Sequence, residues 1–238
     1  MSVDIGLLLL TAASIGFIHT LLGPDHYLPF VAMGAARGWT TRRTLWITAL
    51  CGVGHVLGSV VIGLVGIGVG MSLHRLAWFE GLRGDLAAWL LLGFGLAYMA
   101  WGLKMAWRSR PHTHDHVHAD GTKHLHEHHH EHAHLHPHVS PATSRSITPW
   151  ALFVIFVLGP CEPLIPVLMY PAAQHSLWGM VAVVVTFGAV TVATMLTVVY
   201  LALRGLERLP LEPVERYSHA LAGAALSLCG AGIVFLGF

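Results

Sequence analysis

The sequence predicts an all-α integral membrane protein with six transmembrane helices, arranged as two inverted three-helix repeats. Hydrophobic residues make up 55% of the 238 residues and charged residues only 11%, whereas about a quarter of the residues in a soluble domain are charged. Six segments are apolar over the roughly 20 residues that cross a bilayer. Two of these segments, one in each half of the chain, share a Gly-Pro interruption.

The six segments define the domain organisation. They are Ile5–Ala36, Leu45–Gly70, Leu86–Trp107, Pro149–Pro171, Leu177–Leu203 and Ser218–Phe238. Proline lacks an N–H and clashes with the preceding helical turn. Helix 1 is therefore predicted to break at Gly23-Pro24 and helix 4 at Gly159-Pro160. The chain divides into a first repeat at 1–108, a His-rich loop at 109–147 and a second repeat at 148–238.

The two interrupted helices resemble each other in sequence. Leu22–His26 reads Leu-Gly-Pro-Asp-His and precedes Pro29, while Leu158–Glu162 reads Leu-Gly-Pro-Cys-Glu and precedes Pro166. Because each repeat has an odd number of helices, the second copy must enter the membrane from the opposite side. Inverted repeats of this kind place a binding site near the midplane, where the broken helices face each other.

The basic residues predict the orientation of the chain. Eleven of the thirteen Lys and Arg residues flank the first, third and fifth connections, while Arg75 and Arg83 fall in the second. By the positive-inside rule, the His-rich loop is cytoplasmic and both termini lie outside.

Ionisable side chains inside the apolar segments are the candidate functional residues, because a charge at bilayer depth costs about 2.5–3.5 kcal/mol on insertion scales. The predicted metal ligands are these ionisable side chains together with the neighbouring Cys161 thiol, namely His19, Asp25, His26, His55, Cys161 and Glu162. Imidazole and carboxylate together suit borderline ions such as Ni²⁺, Co²⁺ and Zn²⁺. A buried histidine such as His55 is also explained by ordinary helix packing, and Glu162 by pairing with a histidine.

The central loop holds thirteen of the nineteen histidines and has no apolar pattern that would fold it, so we expect it to be disordered without metal. These histidines are predicted to capture metal: His112, His114, His116, His118, His124, His126, His128, His129, His130, His132, His134, His136 and His138. The loop contains no Cys or Met, which argues against a preference for Cu⁺.

With these motifs the chain resembles the nickel/cobalt transporter family (NiCoT and NicO-type proteins and urease-accessory-type membrane proteins) of the LysE exporter superfamily. The family motif is His, four residues, then Asp-His; here five residues separate His19 from Asp25 and His26. The resemblance implies a metal-recognition role for these three residues and a prokaryotic cytoplasmic membrane. The His-rich loop is similar to that of efflux members.

The leading hypothesis is therefore transport of Ni²⁺ or Co²⁺, or of Zn²⁺, through a midplane site, with efflux favoured over uptake. The chain is not expected to be an enzyme or to hold a prosthetic group. Its expected partners are the metal ion, the lipid bilayer and a metallochaperone, but not nucleic acid. The absence of a His-Glu-x-x-His motif argues against a metalloprotease.

Two alternatives remain open. One is a thiol–disulfide electron carrier similar to the CcdA/DsbD membrane domain, in which each broken helix presents a cysteine. Here Cys161 follows the second break, Asp25 takes the matching place in the first, and Cys51 is the remaining candidate partner. The other is an accessory protein that sequesters metal for nickel-enzyme maturation without conducting it.

Overall fold

A computed structural model describes residues 5–108, 112–117, 123–128, 148–209 and 212–237 of the chain. The fold is a helical bundle. Its α-helices are α1 (Ile5–Leu22), α2 (Leu28–Ala36), α3 (Thr41–Gly68), α4 (Leu73–Arg108), α5 (Thr148–Leu158), α6 (Leu164–Ala173), α7 (Leu177–Leu206) and α8 (Ser218–Leu236). Two 3₁₀ helices occur at Pro24–His26 and Glu212–Tyr217.

Five helical segments in the described part of the chain are long and apolar enough to cross a membrane, namely α1, α3, α4, α7 and Glu215–Leu236. The shorter apolar helices α5 and α6 follow each other directly. Many large apolar side chains on the outside of the bundle are exposed, among them Trp46, Val61 and Leu228. Such a surface is stable against lipid but not against water. The prediction of a multi-pass α-helical membrane protein is confirmed.

The third predicted helix begins earlier than expected. We predicted Leu86 as its first residue, but α4 begins at Leu73 and includes Glu80 and Arg83. These side chains form an ion pair at 2.8 Å within one helical turn. Because the two charges neutralise each other locally, the helix continues through a stretch that sequence reasoning assigned to a loop.

Contacts between the two halves hold the bundle together. Helix α4 packs along α8, while α1 and α3 both pack against α7, and α3 also contacts α5 and α6. One buried apolar cluster includes Phe30, Phe156 and Met195. A second one includes Val56 and Phe187. The two clusters therefore join side chains from both halves of the chain.

Two short strands lie within the predicted His-rich loop. β1 (His112–Val117) pairs antiparallel with β2 (Lys123–His128). The His-x-His repeat has the two-residue period of a strand, which accounts for strands where we expected disorder. The other loop positions that we predicted to capture metal lie outside the described residues: His118, His129, His130, His132, His134, His136 and His138.

Candidate functional site

At the first helix interruption, the chain satisfies its own backbone hydrogen-bonding groups. Helix α1 ends at Leu22, and the 3₁₀ turn Pro24–His26 follows Gly23. The His26 amide donates to the Gly23 carbonyl at 3.1 Å. The turn directs the His26 ring inward, where only 3% of the residue is exposed. A polar site is thus built into the chain where the helix is interrupted.

Three imidazoles converge beside this turn. His19 comes from α1, His26 from the 3₁₀ turn and His55 from the middle of α3. One ring nitrogen of each lies within 4.8 Å of the others. The ring centroids of His19 and His26 are 4.7 Å apart, and those of His26 and His55 are 5.1 Å apart. Within the described residues, this is the group of His, Cys, Asp and Glu side chains able to hold a metal ion.

Hydrogen bonds fix the orientation of two of these rings. His55 Nδ1 lies 3.2 Å from the Phe156 carbonyl oxygen. His26 Nδ1 lies 3.2 Å from both the Gly23 carbonyl and Asp25 Oδ1. Carbonyl and carboxylate oxygens only accept, so both Nδ1 atoms donate. In the neutral rings, the lone pair is consequently on Nε2.

The second helix interruption, at Gly159-Pro160, is held by a buried polar cluster from α3 and α4. We call this cluster the clamp; it consists of Ser59, Glu80 and Arg83. Pro160 interrupts the helix and leaves the Gly159 carbonyl and the Cys161 amide without helical partners. Arg83 donates to the Gly159 carbonyl at 2.9 Å. The Cys161 amide is 3.1 Å from Ser59 Oγ and 3.2 Å from Glu80 Oε2.

The clamp is also bonded internally. Ser59 donates to Glu80 Oε2 at 2.9 Å, and Arg83 contacts both Glu80 Oε2 and Ser59 Oγ. The Glu80 side chain is fully buried and that of Arg83 is 10% exposed. This cluster therefore supplies the polar partners that broken backbone needs away from water.

Both breaks border one cavity of about 510 Å³. The first break contributes Asp25 and His26, the second Pro160 and Glu162, and His55 lies between them. Helix α4 approaches closely here, since a Cβ atom on Gly84 would be 2.6 Å from Pro160 Cγ. The residues of the two interrupted helices thus share one space inside the bundle.

The structure brings together some of the predicted metal ligands and separates others. His19, His26 and His55 form the imidazole cluster, and Asp25 contacts His26 from one side. Glu162 lines the cavity and is exposed to it. Cys161 is fully buried among apolar side chains of the second cluster, including Val56 and Leu164.

Sequence reasoning missed the clamp. Glu80 and Arg83 precede the most apolar part of α4, and a Glu-x-x-Arg pair reads as a solvated loop or helix end. The available signal was their spacing of three residues, which puts both side chains on one helical face.

Comparisons with known proteins identify a family. The family profile described as cytochrome c biogenesis protein transmembrane region matches residues 28–237. Neither curated proteins nor solved structures gave a match.

The resemblance to the nickel/cobalt transporter family and the LysE superfamily, with the nickel, cobalt and metal-transport functions that it implied, is therefore wrong. The Asp25-His26 motif is too short to separate membrane families that share a Pro-broken helix. The match favours the thiol–disulfide electron carrier over metal transport, and it gives no support to a metallochaperone partner.

Proposed function

Because the chain belongs to the family of cytochrome c biogenesis protein transmembrane regions, we propose that it carries reducing equivalents across a membrane by thiol–disulfide exchange. The observation that carries this proposal is the family match over residues 28–237. Cys161 supports it, since this thiol directly follows the Gly159-Pro160 break.

A single thiol completes the exchange only with partner proteins. The three cysteines of the chain are free, and Cys51 and Cys229 belong to a different buried cluster from Cys161. The Cys161 thiolate would attack a partner's disulfide, forming a mixed disulfide and releasing one partner thiolate. A thiolate of a second, dithiol partner would then attack the Cys161 sulfur and release the first partner as a dithiol. The remaining thiolate of the second partner would close its own disulfide and free Cys161, so that two electrons pass between the partners.

The burial of Cys161 adds a structural requirement to the proposal. The residue has no exposed surface, and a thiolate reacts only when it is accessible. The second break must therefore move to expose the sulfur. Such a movement would release the hydrogen bonds by which the clamp holds this backbone.

We also propose that the bundle is a pair of inverted three-helix repeats: α1–α2, α3 and α4 in the first, and α5–α6, α7 and α8 in the second. The packing supports this arrangement. Helix α1 of the first repeat packs on α7 of the second, and in the same way α5 and α6 of the second repeat pack on α3 of the first. Helices α4 and α8, the last of each repeat, pack against each other. Such reciprocal contacts are expected from a pseudo-two-fold axis in the membrane plane. In this arrangement the predicted cytoplasmic loop joins the two repeats.

Replacing Cys161 by serine tests the thiol. Vesicles containing the protein would enclose a reduced dithiol protein, with an impermeant chromogenic disulfide outside. We expect Cys161→Ser to slow colour release by about tenfold or more, because the attacking sulfur is lost. Cys51→Ser and Cys229→Ser are the matched controls and should keep the rate. Transfer that survives Cys161→Ser would rule out thiol exchange through this residue.

A further inference from the structure

We infer that His19, His26 and His55 bind one divalent transition-metal ion through their ring nitrogens. This site is distinct from the thiol at the second break and does not depend on thiol exchange by Cys161. Thiol chemistry gives no role to three converging imidazoles, so the cluster requires its own explanation.

The first argument is the set of unpartnered atoms. Among the described residues, the Nε2 atoms of all three histidines are buried and have no hydrogen-bond partner. A buried polar atom without a partner costs free energy, and the three rings that carry these atoms are neighbours. A cation that accepts nitrogen ligands satisfies all of them at once.

The second argument is the direction of the lone pairs. Since Nδ1 of His26 and of His55 donates to oxygen acceptors, each Nε2 presents its lone pair. Metal-binding histidines characteristically donate their other ring nitrogen to a carboxylate or carbonyl, which orients the ring and raises its basicity. Here Asp25 and the carbonyls of Gly23 and Phe156 supply those acceptors.

The third argument concerns the ligand set and its charge. Nitrogens bound tetrahedrally at about 2.0–2.1 Å are roughly 3.3 Å apart, so the rings, one nitrogen of each of which lies within 4.8 Å of the others here, would move closer together on binding. Asp25 supplies negative charge beside His26, and Glu162 lines the same cavity. Three imidazoles leave a fourth position toward the cavity for water or another small ligand.

The roles of five of the six predicted ligands are thereby refined, while Glu162 lines the cavity. The three imidazoles are ligands, Asp25 orients one of them, and Cys161 belongs to the other break. Zn²⁺ suits this nitrogen set, is redox-inactive and can be counted, so it is the probe that we choose.

Zinc content of purified protein tests the inference. The thirteen loop histidines would be replaced by asparagine in the full-length chain, so that they do not contribute. We expect about one Zn²⁺ per chain after desalting. His55→Ala should lose it, whereas His74→Ala, an exposed histidine at the start of α4, should retain it. Asp25→Asn should weaken Zn²⁺ binding by about 10–100-fold, as expected for a residue that orients a ligand.

His19→Ala supplies a second test at the less buried edge of the cluster, in case His55→Ala does not fold. Absence of bound Zn²⁺ in the loop-substituted protein would overturn the inference. Retention of Zn²⁺ by folded His55→Ala or His19→Ala would do the same. Loss of exchange in Cys161→Ser with Zn²⁺ retained would show that the two sites are independent.

Discussion

Replacing Glu80 by alanine is expected to lower the stability of the protein by about 3–5 kcal/mol. The substitution leaves the Arg83 guanidinium largely buried without its counter-charge, which is the costly way to break a buried ion pair. It also removes an acceptor from the Cys161 amide. Thermal unfolding of the purified protein in detergent should show a fall in Tm of about 10 °C.

The exposed pair of Arg204 and Glu207 is the matched control for Glu80. Its charged atoms are 2.9 Å apart, also three residues apart on a helical turn, but both side chains are about half exposed. Glu207→Ala should leave the Tm unchanged, because solvent screens such pairs. Replacing both clamp charges with apolar side chains, as in Glu80→Leu with Arg83→Met, should recover part of the lost stability by removing the unpaired charge, but not all of it, since the Gly159 carbonyl then lacks its donor. Equal Tm values for Glu80→Ala and Glu207→Ala would show that the clamp does not stabilise the second break.

Replacing Gly223 by alanine is expected to cost about 1–3 kcal/mol by forcing α4 and α8 apart. A Cβ atom at Gly223 would be 2.5 Å from Met99 Cα and 2.8 Å from the Gly95 carbonyl oxygen. These are backbone atoms, which cannot rotate away. Small residues allow such close approach between membrane helices, and the expected fall in Tm is about 5 °C.

Gly93 on α4 provides the control for this substitution. A Cβ atom there meets nothing within 4 Å. Alanine also has a helix propensity about 1 kcal/mol more favourable than glycine. Gly93→Ala should therefore keep or raise the Tm. A Gly223→Ala protein as stable as Gly93→Ala would contradict the tight α4–α8 contact.

Much of the candidate site could be predicted from sequence because polar groups at membrane depth are conspicuous. His19 and His26 are separated by two helical turns, and His55 falls at a comparable depth in the next apolar segment. This was enough to predict that they meet. The Gly-Pro pairs likewise indicated where the chain departs from helix, because proline removes a backbone donor.

Other features required the folded chain. The sequence does not show which side chain satisfies the backbone at the second break, and Glu80 and Arg83 resembled loop residues because their mutual neutralisation is a tertiary effect. Cys161 and Glu162 are neighbours in sequence, yet one is fully buried and the other faces the cavity. This divergence depends on the turn after Pro160, which composition does not determine. The family could not be deduced from a short motif that unrelated membrane proteins can share.

The most direct test of the account is X-ray absorption at the zinc edge of the loop-substituted protein loaded with Zn²⁺. We predict three imidazole nitrogens at about 2.0–2.1 Å, a further light atom and no sulfur. This result would match a site formed by His19, His26 and His55 and would exclude the Cys161 sulfur as a ligand. A sulfur neighbour at about 2.3 Å, or fewer than three imidazoles, would contradict the assignment of metal binding to the first helix interruption and thiol exchange to the second.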